Sequence, residues 1–160
     1  MKVDKIKFGI VGLGHIGKRH ANCIINHPHA QLVSIFDIAQ KEKWINEHSN
    51  IIFSDSFENL LSQDLDVINI CTPNYLHANM GISVLKSGKH VVIEKPIALT
   101  TSDAEQIISV ASDYNKIVFG VMQNRFSPTV LWLKQIIDED LLGDINMISV
   151  NCFWNRNKNY

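Results

Sequence analysis

The three cysteines, Cys23, Cys71 and Cys152, are too few and too widely spaced for a disulfide framework or a zinc cluster, so no metal site is expected. Charge of neither sign is in excess. The chain carries 15 Lys and Arg against 16 Asp and Glu, a formal net charge of −1. That balance offers no basic surplus for nucleic acid or for an anionic membrane. No apolar run reaches the roughly 18 residues a membrane helix needs. The opening stretch Met1-Lys2-Val3-Asp4-Lys5 passes at once into a strand pattern, without the apolar core of a secretory signal. Internal repeats and low-complexity segments are also absent. These exclusions lead to the expectation of a cytoplasmic protein with neither nucleic acid nor membrane as partner.

What is present is enough apolar material for the core of one domain, with 46% hydrophobic residues in 160, and too little length for two full ones. Short apolar, β-branched runs alternate with amphipathic stretches. Strands are predicted at 6–11, 31–37, 51–53, 67–70, 90–94 and 117–122. Helices are predicted at 15–26, 39–48, 56–61, 75–87, 101–114 and 128–138, with Ser102 or Thr101 capping the fifth. Trp132 and its apolar neighbours in the last helix read most simply as core. Strict alternation of this kind predicts an α/β fold, a doubly wound and mostly parallel sheet with helices on both faces. The near-continuous apolar character of the strands agrees, because such strands are covered on both sides.

The composition shifts near Gly143-Asp144. Beyond it Ile148, Val150, Cys152 and Trp154 alternate with Ser149, Asn151 and Phe153, a strand pattern. This predicts a first domain over 1–143 and, over 144–160, the first strand of a second domain of which the rest is missing.

Chemistry concentrates first at Gly12-Leu13-Gly14-His15-Ile16-Gly17, a G-x-G-x-x-G turn placed between a strand and a helix. Gly12 allows the tight turn, Gly14 lets backbone approach a pyrophosphate, and Gly17 lets the helix lie close to the strand. The amides that open the helix, those of His15 and Ile16 included, then face the phosphate charge. His15 itself reads as a variable position of the turn. Asp37 follows Gly17 by 20 residues and ends the second strand, where a carboxylate can accept both ribose hydroxyls of NAD and would repel the 2′-phosphate of NADP. No basic residue occurs between Asp37 and Lys41 to offset that repulsion. The plainer reading of Asp37 is a turn residue closing a strand.

Two further motifs lie at predicted strand ends: Cys71-Thr72-Pro73-Asn74-Tyr75-Leu76-His77 and Glu94-Lys95-Pro96. With the glycine turn, in this order, they resemble the glucose–fructose oxidoreductase / inositol dehydrogenase / MocA (Gfo/Idh/MocA) family, over nearly the whole chain. The resemblance implies a Rossmann domain that binds NAD. It places Cys71, Thr72, Pro73, Asn74 and His77 along the cofactor, with Glu94 and Lys95 beside the nicotinamide. Lys95 would bind the substrate hydroxyl and take part in its proton transfer, with Glu94 positioning it. These two are the catalytic candidates. His77, at the first turn of a helix, has a second reading as a packing or capping residue, and Lys95 one as a solvated surface lysine. Gln123 would reach the nicotinamide and Asn124 the substrate. Arg125 would pair with an anionic substrate group or make a structural salt bridge. Pro96 allows a cis Lys95–Pro96 bond that would aim the lysine inwards.

The tail from Asn151 to Asn157 is similar to the branch acting on nucleotide-linked amino sugars, the UDP-N-acetylglucosaminuronate 3-dehydrogenases of surface-polysaccharide (lipopolysaccharide) synthesis. Arg125 and Arg156 would suit its diphosphate. The family's second domain supplies an Asp-x-x-x-His-like pair that works with the lysine, and it usually builds a homo-oligomer. The expectation is therefore that these 160 residues bind NAD without turning over alone. An inositol- or glucose-type polyol dehydrogenase, or a non-catalytic NAD-sensing domain, are the alternatives.

Overall fold

The structure is a computed structural model, and it describes residues 4–39, 42–155 and 158. The expected role of Arg156 therefore lies outside the described residues, as does part of the helix expected over 39–48. The chain divides into two compact units, Met1–Met122 and Gln123–Tyr160.

The first unit is a six-stranded sheet in the order β3-β2-β1-β4-β5-β6. Its strands are β1 (Ile6–Val11), β2 (Ala30–Phe36), β3 (Ile52–Phe53), β4 (Val67–Ile70), β5 (His90–Ile93) and β6 (Val118–Gly120), all paired in parallel. The helices between them are α1 (His15–Ile25), α2 (Glu42–Glu47), α3 (Phe57–Ser62), α4 (His77–Lys86) and α5 (Thr101–Asp113). The strand order reverses between β1 and β4, which is the topological switch point of a Rossmann sheet, where ligands bind outside the carboxyl ends of the strands.

Side chains alternating across β1 feed two cores. Ile10 joins Leu13, Ala21, Ile24, Ile35 and Trp44 on the face covered by α1 and α2. Val11 joins Leu60, Ile68, Ile70, Val84 and Ile107 on the face reached by α3, α4 and α5. Each fully buried Ile or Leu contributes about 1.5–3 kcal/mol, so burial on both faces holds the sheet. Asn69 is the polar exception in β4. It is buried, and it lies between Ile68 and Ile70, which both enter the second core.

Local signals fix several boundaries. Ser56 caps α3 by accepting the Asn59 amide at 3.0 Å. The cap of α5 is Thr100, which accepts the Asp103 amide at 3.1 Å, and not Ser102 or Thr101. Both of those residues already lie within the helix, whereas Thr100 has the extended backbone an N-cap adopts. The fourth helix begins with a 3-10 turn, Asn74–Leu76, before α4. The Lys95–Pro96 bond is cis, as the sequence reading allowed.

In the second unit a 3-10 turn, Gln123–Phe126, leads into α6 (Pro128–Asp138), capped by Ser127. Trp132 is 62% exposed and not core. No strand forms over 148–154. A strand is defined by its ladder, and among the described residues none pairs with this stretch, so alternation alone leaves it irregular. Among the described residues no helix is long and apolar enough to cross a membrane.

Candidate functional site

The glycine turn sits at the end of β1 in the geometry its spacing requires. Gly12 has φ +89°, and a Cβ there would lie 2.7 Å from the Cys71 carbonyl oxygen. A Cβ on Gly17 would lie 1.9 Å from the Gly12 carbonyl oxygen, so α1 can cross the turn only with glycine at that position. Gly14 is different: a Cβ there would meet nothing within 4 Å. It is exposed, it N-caps α1, and no side chain caps the helix there. The first amides of a helix have no intrahelical acceptor, so the turn presents donors and a positive dipole end to an open cradle.

Asp37 closes β2 beside this turn. Its Oδ2 accepts the Leu13 amide at 2.6 Å and its Oδ1 accepts the Ala39 amide at 2.7 Å. The carboxylate thus ties the glycine turn to the loop after β2. Gly12, Gly14, Asp37, Cys71, Thr72 and Pro73 line one cavity of about 360 Å³ at the switch point. Phe36, Ile38, Tyr75 and Met80 complete its apolar walls. None of these four is among the site residues expected from the sequence. The runs that flank Asp37 and Thr72 were the signal for them. A cavity with one carboxylate, glycine backbone and apolar walls fits a dinucleotide, whose flat base and ribose need those surfaces.

Other expected residues are placed differently. His15 and Ile16 are exposed at the start of α1, and Asn74 is exposed in the 3-10 turn without lining the cavity. His77 is 0% exposed. Its Nδ1 lies 2.7 Å from the Pro96 carbonyl oxygen and its Nε2 lies 2.9 Å from that of Thr72. Of its two readings, the packing role is the one its contacts describe, because the buried ring lies between backbone carbonyls of the β4 and β5 loops and one nitrogen donates to one of them. Gln123, Asn124 and Arg125 are exposed in the second unit.

At the end of β5, Lys95 is exposed and Glu94 is largely covered. Glu94 Oε1 lies 3.0 Å from His20 Nε2, and Glu94 Oε2 accepts the Lys95 amide at 3.1 Å. Behind them Asn69 Nδ2 lies 2.9 Å from His20 Nδ1. His20 and Asn69 lie outside the motifs that mark the site in the sequence. Their signals were a polar residue three positions after Gly17 on the buried side of α1 and an asparagine inside an apolar strand. The Cys71 thiol, walled in near this carboxylate, is pushed up to about 12 by burial first and the Glu94 charge second.

Residues 6–121 match the family model described as "Oxidoreductase family, NAD-binding Rossmann fold", the Gfo/Idh/MocA model. The chain belongs to the Gfo/Idh/MocA family. It is 28% identical over 148 residues to an inositol 2-dehydrogenase of Rhizobium meliloti, covering 91% of this chain and 44% of that protein. Two similar solved structures are WlbA dehydrogenases in complex with NADH and UDP-GlcNAcA. The one from Chromobacterium violaceum is 32% identical with a TM-score of 0.93 over 100% of this chain and 47% of its own. That from Bordetella pertussis is 34% identical with a TM-score of 0.91, over 98% and 49%. This Gfo/Idh/MocA chain therefore spans less than half the length of these relatives.

Proposed function

We propose that this chain is the cofactor-binding part of an NAD-dependent oxidoreductase that oxidises a hydroxyl of a sugar, specifically the C3 hydroxyl of a nucleotide-linked amino sugar. The observation that carries the cofactor half is the cavity at the switch point, with the Gly12–Gly17 turn on one wall and Asp37 on another. The amides at the start of α1 hold the pyrophosphate. Asp37 takes the ribose hydroxyls, because a carboxylate oxygen accepts more than one hydrogen bond. Its charge disfavours the 2′-phosphate of NADP. Thr72 and Pro73 border the cavity, and Glu94 and Lys95 stand on the next strand end. Bound NAD supplies the hydride acceptor. Lys95 Nζ holds the substrate hydroxyl and accepts its proton, while Glu94 fixes the backbone that carries it.

The substrate half is supported by the extent of the likeness. The two WlbA structures match 98–100% of this chain at TM-scores above 0.9. A scyllo-inositol dehydrogenase of Lactobacillus casei matches 90% at 0.81. A polyol dehydrogenase is therefore the second reading. In the proposal residues 1–143 form the NAD-binding domain and 144–160 begin a substrate domain, which completes a cytoplasmic homo-oligomer serving surface-polysaccharide synthesis.

NADH fluorescence titration of the 160-residue chain tests the cofactor half. Saturable binding is expected, weaker for NADPH by about tenfold or more, a difference of about 1.4 kcal/mol. Equal binding of both, or of neither, overturns it. The substrate half is tested in the polypeptide extended through the proposed second domain. NAD reduction with UDP-N-acetylglucosaminuronate but not with myo-inositol is expected, and the reverse result establishes the polyol reading instead.

A further inference from the structure

Lys95 stands between two residues that histidines hold from below. On one side the Pro96 carbonyl lies against the buried His77 ring. On the other, Glu94 is gripped through both of its oxygens, one at His20 and one at the Lys95 amide. The side chains of His20 and Glu94 are only 16% and 12% exposed. Hydrogen bonds in such a covered setting are stronger than in water, and the wrong partner there is correspondingly unfavourable.

We propose that His20 and Asn69 are positioning residues for Lys95, acting in the order Asn69, His20, Glu94, Lys95. The proposal rests on the reading of Lys95 as the proton-transfer residue. The geometry gives the chain a direction. The Asn69 amide nitrogen donates to Nδ1 of His20, so the ring proton sits on Nε2 and donates to Glu94 Oε1. Each donor then meets an acceptor through to the Lys95 amide, which donates to Oε2. Glu94 is thereby held in one rotamer, and the first residue of the loop after it is held with it.

The second observation concerns Asn69. It stands in a strand whose other residues are Val67, Ile68 and Ile70. Its Oδ1 is buried with no hydrogen-bond partner. An unsatisfied buried acceptor is destabilising, and an apolar residue in that strand would avoid it. What the asparagine supplies is the donor that sets the His20 tautomer. A purely structural bridge between α1 and β4 would not need the ring's second nitrogen to end on the carboxylate next to Lys95.

The test uses amide hydrogen exchange of the 160-residue chain, read by NMR at the Lys95 amide. His20→Leu is expected to speed that exchange on the order of tenfold, with the Gly9 and Ile10 amides of β1 unchanged. His20→Gln keeps a donor for Glu94 and an acceptor for Asn69, and it is expected to return the rate to within about twofold of wild type. Equal Lys95 exchange in wild type and His20→Leu, or no rescue by His20→Gln, overturns the proposal. A second measurement needs no variant: the long-range nitrogen–proton spectrum of the His20 ring is expected to show a proton on Nε2 and none on Nδ1. A proton on Nδ1 overturns the proposal even if His20→Leu fails to fold. The outcome is separate from the cofactor reading, because NADH that does not bind wild type sinks that reading and leaves the exchange comparison standing.

Discussion

The carboxylate of Asp37 accepts the amide of Leu13 at 2.6 Å, so the acid that closes β2 also shapes the glycine turn that closes β1. One side chain thus carries a structural contact and the proposed ribose contact. Removing it with Asp37→Ala takes away a charge-assisted bond to the turn and the proposed ribose contact together. Hydrogen bonds to charged groups are worth about 1.5–3 kcal/mol, so NADH affinity should fall about 10-fold to 100-fold. Asp37→Ser removes the charge that opposes a 2′-phosphate. It should narrow the gap between NADH and NADPH. Fluorescence titration with both dinucleotides checks this, and an unchanged ratio in Asp37→Ser would remove the specificity role.

The three glycines of the turn should separate by what a methyl group would meet. Gly17→Ala puts Cβ into the Gly12 carbonyl, with 1.9 Å between the atoms and only backbone to move. Overpacking of this kind costs about 1–3 kcal/mol or more, visible as a fall in Tm by several degrees without any ligand present. Gly14→Ala meets nothing. Its unliganded stability should fall by no more than about 1 kcal/mol, the loss of a glycine N-cap to the poorer alanine, because the methyl itself clashes with nothing. Its NADH affinity should nonetheless drop about tenfold, because the methyl enters the space proposed for the pyrophosphate. Thermal melts with and without NADH distinguish the two. Equal losses of stability would show that Gly14 is not held open for a ligand.

The sheet was legible because its strands are covered on both faces. Val67-Ile68-Asn69-Ile70 and 90–94 read as strands from composition alone, and the Gly12–Gly17 spacing announced its own turn. The rest required partners that a linear pattern does not carry. The alternation over 148–154 has the period of a strand but no neighbour among the described residues, so it forms none. Trp132 has the character of a core residue and is exposed on α6. His20, Asn69 and Glu94 are 49 and 25 positions apart in sequence, and only the pairing of β4 beside β1 and β5 brings them together. His77 was visible as part of a motif, but its use as a strap between two carbonyls depended on where the Pro96 loop falls.

Capping of α5 gives a sharp contrast within three adjacent residues. Thr100 accepts the Asp103 amide and also donates to the Asp103 carboxylate at 2.7 Å. Thr100→Ala should destabilise the unit by about 1 kcal/mol, the typical loss of a threonine cap. Thr101→Ala and Ser102→Ala replace exposed residues at the start of the helix with a better helix former, and each should be neutral or slightly stabilising. Urea denaturation of the three variants checks the order. A loss at Thr101 as large as that at Thr100 would move the cap.

Cys71 should be the inert one of the three thiols. Burial, with the Glu94 carboxylate behind it, raises its thiol from an ordinary value near 9 to about 12, and the thiolate is the reactive form. Cys23 and Cys152 are exposed. At mildly alkaline pH iodoacetamide should label both of those while leaving Cys71 unmodified until the chain unfolds. The same shift has a sign in stability. The folded chain keeps its proton where the unfolded chain has lost it, so the contribution is whole below about pH 9 and declines as pH rises towards about 12. Cys71→Ser in place of the thiol has no such titration in that range, so its stability should fall less steeply over it. Denaturant melts of wild type and Cys71→Ser from neutral to strongly alkaline pH read the difference in slope directly. Parallel curves would mean that the thiol is not held in its neutral form by the fold.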